Sequence, residues 1–296
     1  MISIITAVYN QLPINELFVQ SLERYSRLPY ELIIIDNGST DGSIEFFESK
    51  GAKVIRNGAN YSYPHCQNQG IAVAKYDYFA FLNNDIIVAP GWDEDLVLAM
   101  QKHGLDLACP AAIERAETEI ATRRLRRKWK WIKGLSRWMG SSKWALVFRY
   151  TLMYGDWELF CNRRRFRFGD KITEGFSGHS IVTTRRAIDL LGPWDERIQA
   201  ADFDLYLRSK KRQRTHGDLL PIHIVQGVFH HHFERLTVKS SPPRFADADK
   251  LISLEDKWPI DEKNELMADA LAYRTPNYKQ KAAPERGSLE TDEDED

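Results

Sequence analysis

The chain has 296 residues, of which 43% are hydrophobic and 28% charged, and its formal net charge is -1. This size allows one sizeable α/β domain with additional segments, and the charge excludes a protein that is polyanionic or polycationic throughout. Three widely spaced cysteines, the lack of a basic leader and the lack of an apolar run of about 20 residues predict a cytoplasmic protein without a membrane span.

Short apolar runs alternate with helical patterns in the first third of the chain. They predict strands at residues 2–8, 31–36, 53–56 and 78–82, and helices at 15–24, 43–50 and 67–75. This alternation is typical of a parallel, doubly wound sheet. Ligands of such sheets bind beyond the carboxyl ends of the strands, so we expect the functional residues in the loops that follow them.

Three of these loops carry acidic or amide side chains. The first ends at Asn10, the second begins with Asp36 and Asn37, and the third contains Asn84 and Asp85. A carboxylate that follows a buried strand suits a hard divalent cation, which can also bridge diphosphate oxygens. The second loop taken by itself is typical of a tight turn. The order and spacing of all three loops are more specific and favour a nucleotide site.

The composition changes between residues 114 and 170. Residues 114–168 contain fifteen Lys or Arg, five Asp or Glu, and five of the eight tryptophans. The apolar residues recur at helical spacing, and the cations cover most of the remaining surface. The candidate contact residues of this basic insertion are Arg123, Arg124, Arg126, Arg127, Trp129 and Trp131. Such a helix suits an anionic membrane surface, a nucleic acid or another polyanion, or packing of its tryptophans on the domain's own core.

Residues 171–240 return to an α/β pattern, after a first unit at residues 1–113. If the segment around Asp202 and Asp204 is extended, both carboxylates share one face, and if it is helical they diverge and Asp202 becomes an N-cap candidate. Three adjacent histidines, residues 230–232, follow a further apolar run. We expect a helical segment at 241–275 and a disordered acidic tail at 276–296, which is too polar to bury a core.

Taken in order, these motifs resemble the family 2 glycosyltransferases, which share the GT-A nucleotide-sugar fold. The matching segments are residues 4–10, 36–43, 68–70, 83–85, 178–186, 192–196 and 201–208. Two positions depart from the family pattern. Asn83 stands where the Asp-x-Asp metal motif begins with Asp, and Ala201 replaces the Glu that precedes the catalytic Asp.

The resemblance implies metal-assisted transfer of a sugar from a nucleoside diphosphate, with UDP, dTDP or GDP as the leaving nucleotide. The implied donor-binding residues are Thr6, Val8, Asn10, Asp36, Asn37, Asn68, Asn83 and Asn84. Asp85 would hold Mn²⁺ or Mg²⁺ together with a late histidine, for which His232 is the first candidate and His230 the alternative. A neutral imidazole suits Mn²⁺ better than Mg²⁺.

Asp202 is the candidate general base, with Asp204 as the alternative, because the acceptor hydroxyl must lose a proton as it attacks. With one base and no second nucleophile, a single displacement inverts the anomeric carbon, as in related enzymes. We expect the acceptor to be a glycan, lipid-linked or other hydroxyl in cell-surface glycan or lipid-linked saccharide synthesis, with the protein at the inner face of the membrane.

Three other functions compete with this interpretation. One is a glycosyltransferase that modifies nucleic acid through the basic insertion. Another is a catalytically inactive module that binds sugar nucleotides or glycans, which Asn83 and Ala201 favour. A nucleotidyltransferase on a related sheet would need a Gly-rich phosphate loop with a Lys near the first strand, and the sequence has neither.

Overall fold

The structure is a computed structural model that describes residues 1–234, 236 and 242–272. The predicted acidic tail at 276–296 lies outside the described residues, as does the end of the predicted segment 241–275. Among the described residues, no helix combines the length and the apolar character needed to cross a bilayer.

The first third of the chain forms the strands and helices that the sequence predicts. The strands are β1 (Ile2–Val8), β2 (Tyr30–Asp36), β3 (Lys53–Arg56) and β4 (Tyr78–Leu82), and the helices are α1 (Leu12–Tyr25), α2 (Ser43–Ser49) and α3 (Tyr63–Val73). Helix α3 begins four residues before the predicted start, because Pro64 in its first turn fits the helix and Ser62 precedes it in extended conformation. The predicted alternation of strands and helices is confirmed.

The second part of the chain contributes both to the main sheet and to a helical layer. Its strands are β5 (Ile86–Ile87), β6 (Leu107–Ala111), β7 (Ile172–Glu174), β8 (Ser180–Thr184), β9 (His223–Phe229) and β10 (His231–His232). Its helices are α4 (Trp92–His103), α5 (Glu119–Leu135), α6 (Lys143–Tyr154), α7 (Trp157–Phe168), α8 (Arg185–Leu191), α9 (Ala201–His216), α10 (Leu254–Lys257) and α11 (Ile260–Leu271).

The main sheet has eight strands in the order β3-β2-β1-β4-β8-β6-β9-β7. Strands β3, β2, β1 and β4 are parallel, whereas β8 is antiparallel to both β4 and β6. Strand β9 pairs parallel with β6, and β7 pairs antiparallel with β9. A separate two-stranded ladder joins β5 to β10. The sheet is therefore mixed, and the carboxyl ends of β1, β2 and β4 share one edge.

Helix α3 packs closely on strand β1 at Gly70. Both Ile5 and Gly70 are buried, and a Cβ atom built on Gly70 would lie 2.2 Å from Ile5 Cγ2. Only a residue without a side chain allows the helix to approach the strand this closely. The glycine at this position is thus a packing requirement of the domain.

The basic insertion folds as α5, α6 and α7, and its own core contacts decide the orientation of α5. Trp129 and Ile132 are 2% and 0% exposed, and Trp129 packs edge-on against His231 and Phe233. The expectation that Trp129 contacts a membrane or polyanion is therefore wrong, because the indole is already buried. Trp131 remains 62% exposed. The predicted limits of the insertion, residues 114 and 170, remain predictions.

Candidate active site

The loops after β1 and β2 form one end of the candidate site. Val8 and Asp36 lie opposite each other in the register of the two strands. The buried Asp36 carboxylate accepts hydrogen bonds from the backbone N–H groups of Gly38 and Ser39, at 3.0 and 3.1 Å. Thr6 is fully buried, and its hydroxyl has no partner within the described chain. A carboxylate turn and an unused hydroxyl therefore occur at the predicted nucleotide pocket.

Asn10 connects these two loops. Its φ of 54° is left-handed, a conformation that Asn adopts more readily than most residues. Its Oδ1 accepts a hydrogen bond from the Thr40 N–H at 2.8 Å, and its own N–H donates to Ser39 Oγ at 2.7 Å. Asn10 therefore shapes the pocket through the backbone as well as the side chain.

Three of the amides predicted to bind the donor are engaged inside the protein. Both Asn37 and Asn84 are buried; Asn37 donates to the Tyr61 carbonyl at 3.0 Å, and Asn84 donates to Asn15 Oδ1 on α1 at 2.7 Å. Asn68 donates to the carbonyl of Trp194 and accepts from its N–H, both at 2.9 Å. These amides hold the loops in place, whereas Asn83 lines the central cleft.

Beyond β4, His232 lies between two carboxylates. Its Nε2 is 3.1 Å from Asp85 Oδ1, and its Nδ1 is 2.6 Å from Glu114 Oε1. Burial opposes the charged ring, but the two carboxylates together raise the pKa of His232 well above its usual value. In return, and against the effect of burial, the imidazolium lowers the pKa of both carboxyl groups. The three side chains form a compact ion cluster.

His179 extends this cluster. Its ring stacks on that of His232 with the centroids 5.0 Å apart, and its Nδ1 lies 2.9 Å from Ser177 Oγ. Its Nε2 and the Oε2 of Glu114 are buried and have no partner among the described residues. Burial lowers the pKa of His179 to about 3, which keeps the imidazole neutral. If Nδ1 donates its proton to Ser177, the Nε2 lone pair is available to a metal ion.

This group of side chains fits a divalent transition-metal ion. The ligand atoms of Glu114, His179 and His232 all lie within 4.8 Å of one another, and Asp85 adjoins them. Two imidazoles with two carboxylates suit Mn²⁺ better than Mg²⁺, which prefers oxygen ligands. The ion would displace one proton of the His232 imidazolium, because a ligating imidazole must be neutral. A metal ion would also satisfy the two buried atoms that have no hydrogen-bond partner. The structure thus adds Glu114 and His179 to the candidate ligands.

The other two histidines of the triplet point elsewhere. His230 is fully buried, with its ring 5.4 Å from Trp92 and 6.2 Å from His179. His231 lies on the opposite face of β10 and places its Nδ1 3.0 Å from the Tyr154 hydroxyl. Of the three, His232 is the one that meets the carboxylates, so His230 is the weaker candidate ligand.

A cleft of about 480 Å³ joins the ion cluster to Asp202. Its polar side includes Asn83, Glu114, His179 and His232. The residues of its largely apolar wall are Tyr63, Phe176, Phe203, Met267 and Leu271. Met267 and Leu271 belong to α11, so the C-terminal helical segment forms part of the cleft.

Asp202 is the second residue of α9 and lies against Gly178. A Cβ atom on Gly178 would be 2.0 Å from Asp202 Oδ2, so the glycine leaves the space that the carboxylate occupies. Burial raises the pKa of Asp202, although backbone N–H groups of the helix start oppose the shift. The N-cap position belongs to Ala200, so the N-cap alternative for Asp202 is wrong. Within the described chain Asp202 has no ion-pair partner.

Asp204 occupies a different environment because the segment is a helix and not a strand. It is fully buried, its carboxylate lies 2.8 Å from Arg208 and 2.6 Å from Lys257, and it accepts a hydrogen bond from Trp258 at 2.9 Å. Of the two alternatives that the sequence left open, the structure has the helical one, in which the two carboxylates diverge. Asp204 connects α9 to α10, and Asp202 faces the cleft.

Sequence reasoning missed Glu114, His179 and Tyr63 as site residues. Glu114 follows the apolar segment that contains β6, so the rule of a carboxylate after a buried strand would have found it. His179 is isolated in the sequence and belongs to no ligand pattern there. The buried Tyr63 hydroxyl, which has no partner in the described part of the chain, carries no sequence signal.

Comparison with known proteins identifies the family. The model of glycosyl transferase family 2 matches residues 3–191. An uncharacterized glycosyltransferase of Haemophilus influenzae is 34% identical over 110 residues, which is 35% of this chain and 44% of that protein. Glycosyltransferase GlyG of Streptococcus pneumoniae serotype 4 is 27% identical over 115 residues, 36% of this chain and 37% of GlyG. The matches thus span less than half of these relatives.

Among solved structures, S. aureus TarS 1–349 aligns with a TM-score of 0.50 and 12% identity, over 92% of this chain and 71% of that chain. At this identity the likeness concerns the fold alone, and it agrees with the mixed α/β sheet described above. The predicted GT-A fold and the predicted family are confirmed. The family model covers well over half of the sequence, and the chain belongs to glycosyl transferase family 2.

Proposed function

We propose that the protein is an inverting, metal-assisted glycosyltransferase that moves a sugar from a nucleoside diphosphate to an acceptor hydroxyl. The observation that carries this proposal is the single cleft that contains both the histidine–carboxylate cluster and the unpaired carboxylate of Asp202. These are the two kinds of group that the reaction requires, one for the leaving diphosphate and one for the acceptor proton.

The donor nucleotide would bind at the ends of β1 and β2. Asp36 would accept hydrogen bonds from the base, and the unused hydroxyl of Thr6 lies at the same sheet edge. Asn10 and Val8 would shape this pocket. Asn83 would stand between the nucleotide pocket and the cleft. UDP, dTDP and GDP are the nucleotides to compare.

The metal ion would be held by Asp85, Glu114, His179 and His232, and Mn²⁺ fits this set better than Mg²⁺. Once bound, the ion would neutralise negative charge on the departing diphosphate. The protein's own contribution is to keep His179 neutral through burial and to orient its ring through Ser177.

Asp202 would act as the general base. Because burial raises its pKa and no cation among the described residues pairs with it, its carboxylate is a better proton acceptor than a salt-bridged one. The apolar wall beside it would exclude water and seat the acceptor. Asp204 is the weaker candidate because its carboxylate is paired with Arg208 and Lys257.

The test begins with a thermal-shift screen of sugar nucleotides, each with and without Mn²⁺, followed by release of nucleoside diphosphate. A ligand at about 100 times its dissociation constant stabilises a protein by about 2.7 kcal/mol. Asp202→Asn should keep the Mn²⁺-dependent shift and lose turnover by about 10²-fold or more. Full activity of this variant would disprove the assignment of the base. Binding without turnover in the native protein would favour the inactive module.

We also propose that the basic insertion contacts an anionic membrane surface, which would place the enzyme at the cytoplasmic face near a glycan or lipid-linked acceptor. One side of α6 leaves Trp144, Val147, Phe148 and Leu152 between 41% and 60% exposed. Trp138, in the connection between α5 and α6, is 81% exposed. Exposed apolar side chains beside cations are typical of lipid interfaces. Helix α5, which packs on α6, exposes the cations Arg123, Arg124, Arg126 and Arg127.

Vesicle sedimentation tests this partner. A double variant, Trp144→Ser with Phe148→Ser, should bind phosphatidylglycerol vesicles less than the native protein does. The matched control is Leu98→Ser, which alters an equally exposed side chain on α4. Equal binding by all three proteins would contradict the membrane proposal. Tight binding of single-stranded nucleic acid that depends on the four arginines would favour the competing polyanion.

A further inference from the structure

A second cavity of about 430 Å³ lies inside the basic insertion, apart from the cleft that contains Asp202. Its lining comes from α5, α6, the connection between these two helices and the segment that follows β10. The lining residues that matter are Trp129, Lys133, Arg137, Arg149, Leu146 and Phe233, and Leu236 completes the apolar part. The cavity therefore combines three cations with an apolar wall.

Arg149 is the unusual member of this lining. Arg149 is only 9% exposed. Its guanidinium donates to Ser136 Oγ at 2.7 Å and to the Ser136 carbonyl at 2.6 Å. Within the described residues it contacts no carboxylate. A buried charge without a counter-ion is costly, because it loses hydration and gains no ion pair. In agreement, burial lowers the pKa of Arg149.

Two other groups in the lining also lack a partner among the described residues. The indole N–H of Trp129 is buried and has no hydrogen-bond partner in the described part of the chain. Arg137 is exposed and makes no ion pair with any described residue. Lys133 pairs with Glu234 at 2.6 Å, which compensates one of the three charges and leaves two. The cavity therefore offers two guanidinium charges without a described counter-ion and one indole N–H without a described acceptor.

We infer that this cavity binds a phosphate group, held by Arg149 and Arg137, on a ligand whose apolar part packs on Leu146 and Phe233. A guanidinium pairs with phosphate through two parallel hydrogen bonds, which suits a buried arginine that lacks a carboxylate. The shared chemistry is the phosphate itself, and its source is either a phospholipid headgroup or a free phosphate compound.

The site adjoins the catalytic cleft without being part of it. Phe233 lines the cavity and follows His232 directly, and its N–H donates to the Asp85 carbonyl at 2.9 Å. A ligand in the cavity would therefore contact a residue whose backbone is joined to two candidate metal ligands, His232 and Asp85. The inference does not depend on sugar transfer, because a catalytically inactive protein would still bind phosphate here.

The experiment measures binding of inorganic phosphate to the full chain by ³¹P NMR in EDTA, with chloride at equal ionic strength as the reference. Arg137→Gln should weaken phosphate binding about ten-fold or more, as expected for the loss of a charge-assisted contact. Arg149→Met should do the same, and the exposed Arg137 variant remains informative if Arg149→Met does not fold. The matched control is Arg163→Gln, an exposed arginine on α7 outside the cavity lining.

A second arm identifies the source of the phosphate. Phosphatidylcholine vesicles containing phosphatidic acid are compared with vesicles that carry the same negative charge as cholesteryl hemisuccinate. A preference for phosphatidic acid that Arg137→Gln abolishes supports a lipid headgroup. Binding of inorganic phosphate without that preference supports a free ligand. The inference is overturned if neither phosphate nor phosphatidic acid binds preferentially, or if both cavity variants bind like the native protein.

Discussion

Replacing Gly178 with alanine tests the position of Asp202 without changing any titratable group. The added methyl group would lie 2.0 Å from Asp202 Oδ2, whereas ordinary contacts of this kind begin at 3.4 Å. The new methyl group or the Asp202 carboxylate must therefore move. The carboxylate, at the end of a flexible side chain, moves more easily than the backbone that carries the methyl group. We therefore expect the Asp202 carboxylate to shift by about 1.4 Å, the difference between the two distances.

A shift of this size has a predictable effect on the rate. Misplacing a reacting group by about 1 Å can lower the rate by about 10²-fold, because proton transfer needs hydrogen-bond distance to the acceptor hydroxyl. Gly178→Ala should therefore lower kcat by about 10²-fold. Thermal stability should change little, because Asp202 borders an open cleft into which its carboxylate can move.

The assay is release of nucleoside diphosphate from the sugar nucleotide that the thermal-shift screen selects. Donor binding with Mn²⁺ is measured in parallel, because His179 is adjacent to the substitution. The control is Gly134→Ala, since a Cβ atom there meets nothing within 4 Å. Full activity of Gly178→Ala, with donor binding intact, would show that the position of Asp202 does not matter and would refute its role as the base.

Four further predictions concern the site and the fold. Glu114→Gln and His179→Ala should each weaken Mn²⁺ binding by at least about ten-fold in calorimetry, as expected when a ligand is lost. Gly70→Ala should lower the free energy of unfolding by about 1–3 kcal/mol in a urea titration, because it overpacks a buried contact. Asp204→Asn should lower the free energy of unfolding by about 3–5 kcal/mol in the same titration, because it leaves Arg208 and Lys257 without their carboxylate partner. Since the pKa of Asp202 is raised, kcat should fall as the pH drops through a value above the ordinary value for Asp of about 3.9, and a pH profile that is flat down to that value would contradict this.

The strands near the amino terminus were predictable because each is a short apolar run that ends in a turn. Strand β1 was predicted to the residue, and β2 starts one residue earlier than expected. The carboxyl-terminal parts of these strands contain Thr6 and Asp36 of the proposed donor site. Local sequence decides these features, since strand period and turn chemistry act over a few residues.

Features that depend on tertiary contacts were less predictable. The sequence around Asp202 and Asp204 is compatible with a strand or a helix, and the structure has a helix in which Asp204 is buried against Lys257. Likewise, the cations around α5 fit a membrane, a nucleic acid or a packed core. Trp129 packs on His231, which lies about a hundred residues farther along the chain. This contact fixes the orientation of α5.

The departure of Asn83 from the Asp-x-Asp motif bears directly on whether the protein is active. Sequence alone leaves Asp85 as the one carboxylate of the motif, which favours a weak metal site or an inactive module. In the structure Glu114, at the end of the segment that follows β6, lies 2.6 Å from the ring that also contacts Asp85. A carboxylate from a distant part of the sequence thus stands beside the same imidazole and can replace the charge that Asn83 does not provide. On this reasoning Glu114→Gln should affect Mn²⁺ affinity about as much as Asp85→Asn does, and a much smaller effect would return the inactive module as the better interpretation.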